Sequence, residues 1–335
     1  MQKLYFLIAW ISLGARFCAH PVPALAAPLP AISAQEAESR LNRLPKTLDV
    51  LEAPAEKPQP KKGLCTESEQ SFKFKDPVTQ KPWDVRLRLY FTHKTEIPTA
   101  WILAFPTEAH AGLLDKYLST RFCDAGISAL VVETNFSSPT EPENKTPPPI
   151  EIYDQENTRV IVLTRFLVDR YIKDPRFSPT RIGVFGYGLG GVRAALAHTT
   201  NPKIQAAWIA ATAGNLPAIL AHSEHSETTQ LRERRMEAFG LKTAAQYELL
   251  LRQVIEYDPV YFAHRKPRSS VKMLVGLSDT QMPNRNQIEL LDAFGAGSTD
   301  RSFSLIEISA GYAGTLLQLP VRFVSSILDF FEARI

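Results

Sequence analysis

Residues 181–191 read RIGVFGYGLGG, and this stretch decides how the rest of the chain is interpreted. An apolar strand pattern runs into a glycine-rich turn, and a helical pattern begins near Leu189. A sharp turn of this kind presents its central residue at the carboxyl end of a strand. That residue is Gly188, between Gly186 and Gly190, and it has no side chain. The turn therefore presents a position without a side chain at the end of the strand.

The size and charge of the chain exclude some classes of protein. Its 335 residues allow one large α/β domain or two small ones, and 44% hydrophobic residues supply a substantial core. The formal net charge of +3 includes Lys3 and Arg16. Because both precede the predicted cleavage site described next, the mature protein is close to neutral. It lacks the basic footprint of a nucleic-acid-binding protein.

The N-terminus has the three parts of a secretory signal peptide. Lys3 gives a short positive region, Leu4–Ala15 is apolar, and Arg16–Ala26 is more polar and ends in an A-x-A site. The alternative is an uncleaved membrane anchor, but Arg16 and His20 leave the apolar run too short to span a bilayer. We therefore predict a signal peptide over residues 1–26, cleavage after Ala26, and a secreted or periplasmic protein without a transmembrane segment.

Two cysteines remain after that cleavage, Cys65 and Cys123. An exported compartment permits a disulfide between them, which would tie the N-terminal tail to the first core helix. The alternative is two unrelated thiols, one exposed and one packed. The sequence leaves both open.

The mature chain divides into a tether and a folded domain. Residues 27–63 are rich in Ala, Pro, Lys and Glu, which predicts a linker with one short helical stretch at 36–51. Residues 64–335 are expected to form the domain. Within it, residues 215–268 are charged, carry two helical patterns and have no strand pattern. This insertion is predicted to be a lid, the alternative being a surface excursion without a gating role.

Strand and helix patterns alternate through the domain, as in α/β proteins. Two alternating runs favour an antiparallel hairpin, and later apolar runs favour strands buried on both faces. The predicted strands are 71–75, 84–92, 100–105, 127–133, 182–185, 206–211, 271–276 and 303–308. The predicted helices are 109–123, 157–172, one from 189, 286–294 and one from Pro320.

The approach to the turn, Pro179–Gly186, and its exit, Gly190–Val192, match an R-I-G-V-x-G-x-S-x-G-G pattern. In this the chain resembles the α/β-hydrolase superfamily, in particular its dienelactone-hydrolase and prolyl-oligopeptidase-like branch. The resemblance covers about residues 65–335. It implies a mostly parallel twisted sheet of about eight strands, with helices on both faces and a helical lid insertion at 215–268.

The resemblance also implies a nucleophile, an acid and a histidine in that chain order. The acid position is Asp279, just after the seventh strand, the nucleophile position is Gly188, and the histidine position is Tyr312. Glycine cannot attack a substrate, and a phenol with an ordinary pKa of about 10 is a weak base at neutral pH. Two of the three triad positions therefore hold residues that cannot perform the family's chemistry.

The same resemblance predicts which residues line the cleft around the turn. Tyr187 and Leu189 flank Gly188, and Leu189 would give a backbone N–H to an oxyanion. The loop after the third strand begins Pro106, Thr107, Glu108 and is followed by His110. Proline has no N–H to donate, and Glu108 would bring a negative charge to an oxyanion. For His110 the alternative is a structural role at a helix start.

Two other motifs offer competing interpretations. Gly186, Gly188 and Gly191 also spell a G-x-G-x-x-G dinucleotide fingerprint, but residues 210–215, at the end of the following strand, contain no Asp or Glu.

The second motif is His222 and His225 with Glu224 and Glu227, a possible metal cluster for which no third ligand stands out. Solvated surface residues are the simpler reading. No metal and no cofactor are expected.

The sequence thus predicts an exported α/β-hydrolase-fold protein that is inactive as a serine hydrolase and binds a small ligand or a protein partner. One alternative is an active hydrolase of esters or peptides with a non-standard nucleophile, for which Ser278 and Tyr187 offer nearby hydroxyls. Another is a dinucleotide-binding protein. The fold alone does not choose among them, because it serves many functions.

Overall fold

A computed structural model describes residues 32–52, 57–58, 64–94, 98–107, 111–134, 149–295 and 301–335, with residues 57 and 58 described only as backbone. The predicted signal peptide at 1–26 lies outside the described residues. So do two of the predicted cleft residues, Glu108 and His110.

One mixed sheet of ten strands forms the centre of the molecule, in the order β1-β3-β4-β6-β5-β7-β8-β9-β10, with β2 paired to β3. The strands are β1 Val50–Glu52, β2 Lys57–Pro58, β3 Cys65–Lys75, β4 Pro82–Thr92, β5 Thr99–Phe105, β6 Ser128–Thr134, β7 Phe177–Tyr187, β8 Ala206–Ala210, β9 Val271–Gly276 and β10 Leu305–Ile308. Strands β5 to β10 run parallel to one another, whereas β4 pairs antiparallel with β6 on one side and with β3 on the other, where β3 and β4 form the predicted hairpin. The prediction of about eight strands matches β3 to β10, and two short strands are added at the edge.

Eleven α-helices are found in the described residues. They are α1 Ala34–Arg43, α2 Leu113–Ala125, α3 Ile152–Tyr171, α4 Leu189–Thr200, α5 Leu216–His222, α6 Ser226–Ala238, α7 Ala244–Val254, α8 Pro259–Ala263, α9 Asn284–Ala293, α10 Tyr312–Gln318 and α11 Val324–Glu332. The insertion at 215–268 is helical, with four helices where two were predicted. None of the helices within the described ranges is long and apolar enough to cross a bilayer.

Both faces of the sheet are buried, which explains the uninterrupted apolar runs of its strands. Alternate residues of a strand point to opposite faces. Leu103 and Val184 belong to the larger core with α3 and α4, whereas Ile102 and Phe185 belong to the smaller core with α2 and α11. The fully covered sheet fixes the carboxyl ends of β5, β7 and β9 at one edge, where the candidate site lies.

Part of the predicted tether belongs to the packed body. In α1 and the segment after it, Ala37, Leu41, Leu44 and Leu48 are buried in the larger core. Their spacing of three or four residues forms one apolar stripe, which outweighs the polar composition of the segment. Ser33 caps the helix by accepting from the backbone N–H of Glu36.

The structure corrects the last predicted helix. Pro320 lies in a π-helical turn, Leu319–Phe323, that joins α10 to α11 rather than in the first turn of a new helix. Helix α11 begins at Val324. Of the predicted apolar stripe Val321, Val324, Leu328 and Phe331, only Phe331 is buried, and Val321 is 81% exposed. The buried face is instead formed by Phe323, Ile327, Phe330 and Phe331, because the π-helical turn changes the register of the residues that follow it.

Of the two alternatives for the cysteines, the structure has the disulfide. Cys65 at the start of β3 is bonded to Cys123 in α2, with 6.0 Å between their Cα atoms. The bridge ties the edge hairpin to the smaller core.

Candidate active site

The turn between β7 and α4 has the backbone geometry of a nucleophile-bearing turn. Gly188 stands between the two elements with φ +55° and ψ −129°, a conformation that costs a non-glycine residue on the order of 1–3 kcal/mol. A Cβ on Gly186 would overlap the carbonyl oxygen of Gly190, and one on Gly190 would overlap that of Phe105. The flanking glycines are thus required by close backbone approach, whatever stands at the centre.

Tyr312 fills the space in front of Gly188. A Cβ built on Gly188 would overlap the Tyr312 hydroxyl oxygen and would lie 3.1 Å from Thr107 Oγ1. Tyr312 is the first residue of α10, after β10, where the sequence placed the family's histidine. The structure therefore brings Gly188 and Tyr312 together as predicted, and the phenol reaches further than an imidazole would, into the volume that a nucleophile's side chain would occupy.

Asp279 lies in the turn after β9 and is buried. Its Oδ1 accepts from the backbone N–H groups of Gln281 at 2.9 Å and Met282 at 2.8 Å, and Gln287 Nε2 lies 3.4 Å from its Oδ2. Burial raises the pKa of Asp279 to about 6, opposed by these hydrogen bonds and by the charge of His225. Among the described residues, then, the donors that hold this carboxyl come from its own loop and from α9.

The loops that carry Asp279 and Tyr312 are neighbours. The backbone N–H of Ser278 donates to the carbonyl of Ala310 at 3.1 Å, and Ser278 faces Gly311. The acid and histidine positions thus lie on adjacent loops at one edge of the sheet. Ser278 itself is exposed, so its hydroxyl is not enclosed in a site.

The loop after β5 presents the carbonyl oxygens of Pro106 and Thr107 to Arg193 in α4. Pro106 has no N–H, and its carbonyl accepts from Arg193 Nη1 at 2.7 Å. Thr107 Oγ1 donates to the carbonyl of Tyr187 at 2.6 Å, which fixes this loop against the turn. Of the two usual sources of oxyanion-hole donors, the turn keeps Leu189 at its helix start, while Pro106 can supply none.

Arg193 is a buried support that sequence reasoning missed. Burial lowers its pKa, and burial raises the pKa of the nearby Glu156 in α3 to about 7, each charge opposing the shift of the other. An arginine within the otherwise apolar GGVRAALA start of α4 was the signal that could have revealed it. Its role here is to hold the Pro106 carbonyl beside the turn.

The two residues that flank Gly188 have different surroundings. Tyr187 is buried, and its hydroxyl donates to Asp115 Oδ1 in α2 at 3.0 Å. Asp115 also accepts from the backbone N–H of Gly112, so Tyr187 links β7 to the first turn of α2. Leu189 is half-buried and packs against the larger core.

The first helix of the 215–268 insertion is attached to the loop that carries Asp279. Ser223, just after α5, donates from Oγ to the carbonyl of Thr280 at 3.2 Å. His222 Nε2 lies 2.7 Å from Glu248 Oε2 in α7, and Arg252 contacts the same carboxylate. Across the described ranges, no group of three or more His, Cys, Asp or Glu side chains is arranged to hold a metal ion.

Comparisons with known proteins bear on the fold. No protein-family model and no curated protein matches the chain. Solved structures do match. The chain has the α/β-hydrolase fold.

One match is an acetyl xylan esterase from Paenibacillus sp. R4, with a TM-score of 0.62, 13% identity, and coverage of 90% of this chain and 93% of that one. Acetyl xylan esterase 1 from Thermoanaerobacterium sp. JW/SL YS485 matches with a TM-score of 0.63 and 14% identity, and the match covers 89% of this chain and 92% of that one. A cold-adapted esterase from an Arctic intertidal metagenomic library matches with a TM-score of 0.54 and 12% identity, and the match covers 85% of this chain and 100% of that one. At these identities the likeness concerns the fold.

Proposed function

We propose that this protein is a non-catalytic α/β-hydrolase-fold protein that binds a small ligand or a protein partner at the cleft between the Gly188 turn and the 215–268 insertion. The observation that carries the proposal is the Tyr312 hydroxyl in the volume of the missing side chain. A catalytic turn keeps that volume free for a nucleophile and its substrate.

Two further features support a loss of catalysis. Gly188 cannot form a covalent intermediate, and Pro106 has no N–H to donate to an oxyanion. Each of the two would reduce the rate of acyl transfer by itself, and together they remove the nucleophile and an electrostatic stabiliser. Asp279, whose pKa burial raises to about 6, stays mostly ionised at neutral pH, so the acid position keeps its charge.

Export completes the proposal. The Cys65–Cys123 disulfide supports an oxidising compartment, where such bonds persist. Expression of the full chain in a bacterium with an envelope, followed by mass spectrometry of the purified protein, tests it. A mature chain beginning at Ala27 and recovered from the periplasm or medium supports export, whereas an intact Met1 terminus in the cytoplasm contradicts it.

A second candidate function is hydrolysis through a displaced hydroxyl. The Tyr312 hydroxyl is favoured as that nucleophile because it lies where the side chain of the usual nucleophile would. Thr107 Oγ1, 3.1 Å from a Cβ built on Gly188, is the next nearest hydroxyl. The fold neighbours are named as esterases, two of them acetyl xylan esterases, so short acetyl esters are the natural probe.

The experiment measures release of p-nitrophenol from p-nitrophenyl acetate and butyrate by the mature protein. Tyr312→Phe and Thr107→Val each remove one hydroxyl with little change in volume, and Asp279→Asn removes the acid. We expect equal rates for all four proteins, at the level of an unrelated protein of similar lysine content. A wild-type rate that falls at least tenfold in Tyr312→Phe or Thr107→Val would establish the second candidate instead.

A further inference from the structure

An open cavity lies away from the Gly188 turn. It has a volume of about 820 Å³ and is lined by Lys46–Leu48, by Gln70 of β3, by the last turns of α3 and by the loop that leads into β7. Since Gly188 follows the carboxyl end of β7 and this loop precedes the amino end, the two places lie on the order of 20 Å apart. The cavity therefore belongs to a different part of the surface.

The floor of the cavity is apolar with one polar group. Leu48, Phe166 and Tyr171 contribute apolar surface, and Phe166 is held edge-on by Phe74, with ring centroids 5.0 Å apart. Gln70 is only 5% exposed. Its Oε1 accepts from the Tyr171 hydroxyl at 2.9 Å, while its amide Nε2 has no partner among the residues that the structure describes.

The Gln70 amide nitrogen faces the cavity and is not sealed from solvent, so water or a ligand can accept from its N–H groups. The Tyr171 hydroxyl uses one of the two lone pairs of the amide oxygen, whereas both N–H groups point to no protein acceptor among the described residues. The floor therefore offers hydrogen-bond donors to a ligand with an acceptor oxygen.

The rim of the cavity carries excess positive charge. Two of its side chains are acidic, and both are already neutralised: Asp174 by Arg176 at 2.8 Å and Asp169 by Lys203 at 2.7 Å. Three cations of the lining, Lys46, Arg170 and Lys173, make no salt bridge within the described ranges, although the charge of Arg170 also helps to lower the pKa of Asp174.

One of these cations is held in place before any ligand arrives. The Arg170 guanidinium carbon stands 5.2 Å from the centre of the Phe72 ring, a cation–π contact that restricts its rotamers. Lys46 and Lys173 are exposed residues of the lining, one from the segment after α1 and the other from the loop after α3.

We propose that this cavity is a binding site for a small organic anion, one with a phosphate or carboxylate group on an apolar or aromatic body. The anionic oxygens accept from the Gln70 amide and lie among Lys46, Arg170 and Lys173. The apolar body packs on Phe166, Leu48 and the Tyr171 ring. This site is separate from the cleft of the proposed function. The proposal would therefore hold even if the protein proved to be an active esterase.

The test is isothermal titration calorimetry of the mature protein with three probes at low salt. Phenyl phosphate has both parts of the ligand, inorganic phosphate has the charge alone, and phenol has the ring alone. We expect one saturable site for phenyl phosphate, at least tenfold tighter than for either partial probe, and weaker binding at 0.5 M salt because exposed charges are screened. Benzoate, tested last, distinguishes a preference for carboxylate from one for phosphate.

Variants assign the binding to the cavity. Lys46→Ala with Lys173→Ala is expected to weaken phenyl phosphate binding at least threefold, and Gln70→Leu at least tenfold, because a hydrogen bond to a charged group is lost. The control is Lys116→Ala with Lys242→Ala, two exposed lysines outside the lining. The lysine variants leave the core intact, so they remain informative even where Gln70→Leu unfolds the protein.

Three results would overturn the proposal. They are no saturable binding of phenyl phosphate or benzoate, equal affinity for phenol and phenyl phosphate, and equal weakening by the control lysines and the cavity lysines. None of them bears on the ester assay of the cleft.

Discussion

Replacing Gly188 with alanine measures directly how Tyr312 closes the turn. The added Cβ has two separable costs. The left-handed φ of +55° costs about 1–3 kcal/mol for a residue with a side chain. The overlap with the Tyr312 hydroxyl oxygen adds an overpacking cost of about 1–3 kcal/mol, of which we expect the lower end because the far end of the ring can swing away.

The second cost disappears when the hydroxyl is removed. In Tyr312→Phe the nearest atom of the ring is Cζ, 3.1 Å from the added Cβ, a contact that a small ring shift relieves. Gly188→Ala should therefore destabilise the wild-type protein by about 2–4 kcal/mol and the Tyr312→Phe variant by about 1–3 kcal/mol. The difference, about 1 kcal/mol, is the coupling energy between the two positions.

The assay is urea unfolding of the wild type, the two single variants and the double variant, at one pH and with the disulfide intact. Gly240→Ala is the control for backbone strain alone, since Gly240 has φ +65° and no atom within 4 Å of an added Cβ. It should cost about as much as Gly188→Ala does in the Tyr312→Phe background. A coupling energy below about 0.3 kcal/mol, within the range of independent sites, would refute the claim that the Tyr312 hydroxyl occupies the nucleophile's space.

Three further predictions concern stability. Because burial raises the pKa of folded Asp279 to about 6, the folded state binds more protons than the unfolded state between about pH 4 and 6. Stability should therefore fall as pH rises through that window, and Asp279→Asn, followed by urea unfolding at pH 4.5 and 7.5, should flatten this fall; an unchanged slope contradicts the shift. Reducing Cys65–Cys123, 58 residues apart, should cost about 4 kcal/mol, seen by comparing unfolding with and without dithiothreitol, and a loss below about 1 kcal/mol would show that the bridge constrains little. Leu41→Ala in α1 should cost about 2–5 kcal/mol by the same method, whereas a residue in a linker would cost nothing.

The candidate site was predictable in its positions but not in its contacts. Gly188, Asp279 and Tyr312 could be placed because each follows a strand, and parallel strands end at the same edge of a sheet. That Tyr312 fills the Gly188 position, and that Arg193 holds the Pro106 carbonyl, could not be predicted. Such contacts depend on side-chain rotamers and on the distances between packed helices and strands. Hydrophobic periodicity in the sequence does not predict either of these.

By itself, the sequence determined the α/β class, the hairpin followed by parallel strands, the helical insertion and the strained glycine turn. These follow from short-range rules: alternation within strands, apolar runs buried on two faces, and glycine where backbones meet. Tertiary structure alone decided that Leu41 and its neighbours pack on the core, that Cys65 bonds to Cys123, and that a cationic cavity forms beside Gln70. The physical reason is distance along the chain: each of these joins segments that only the packed sheet brings together.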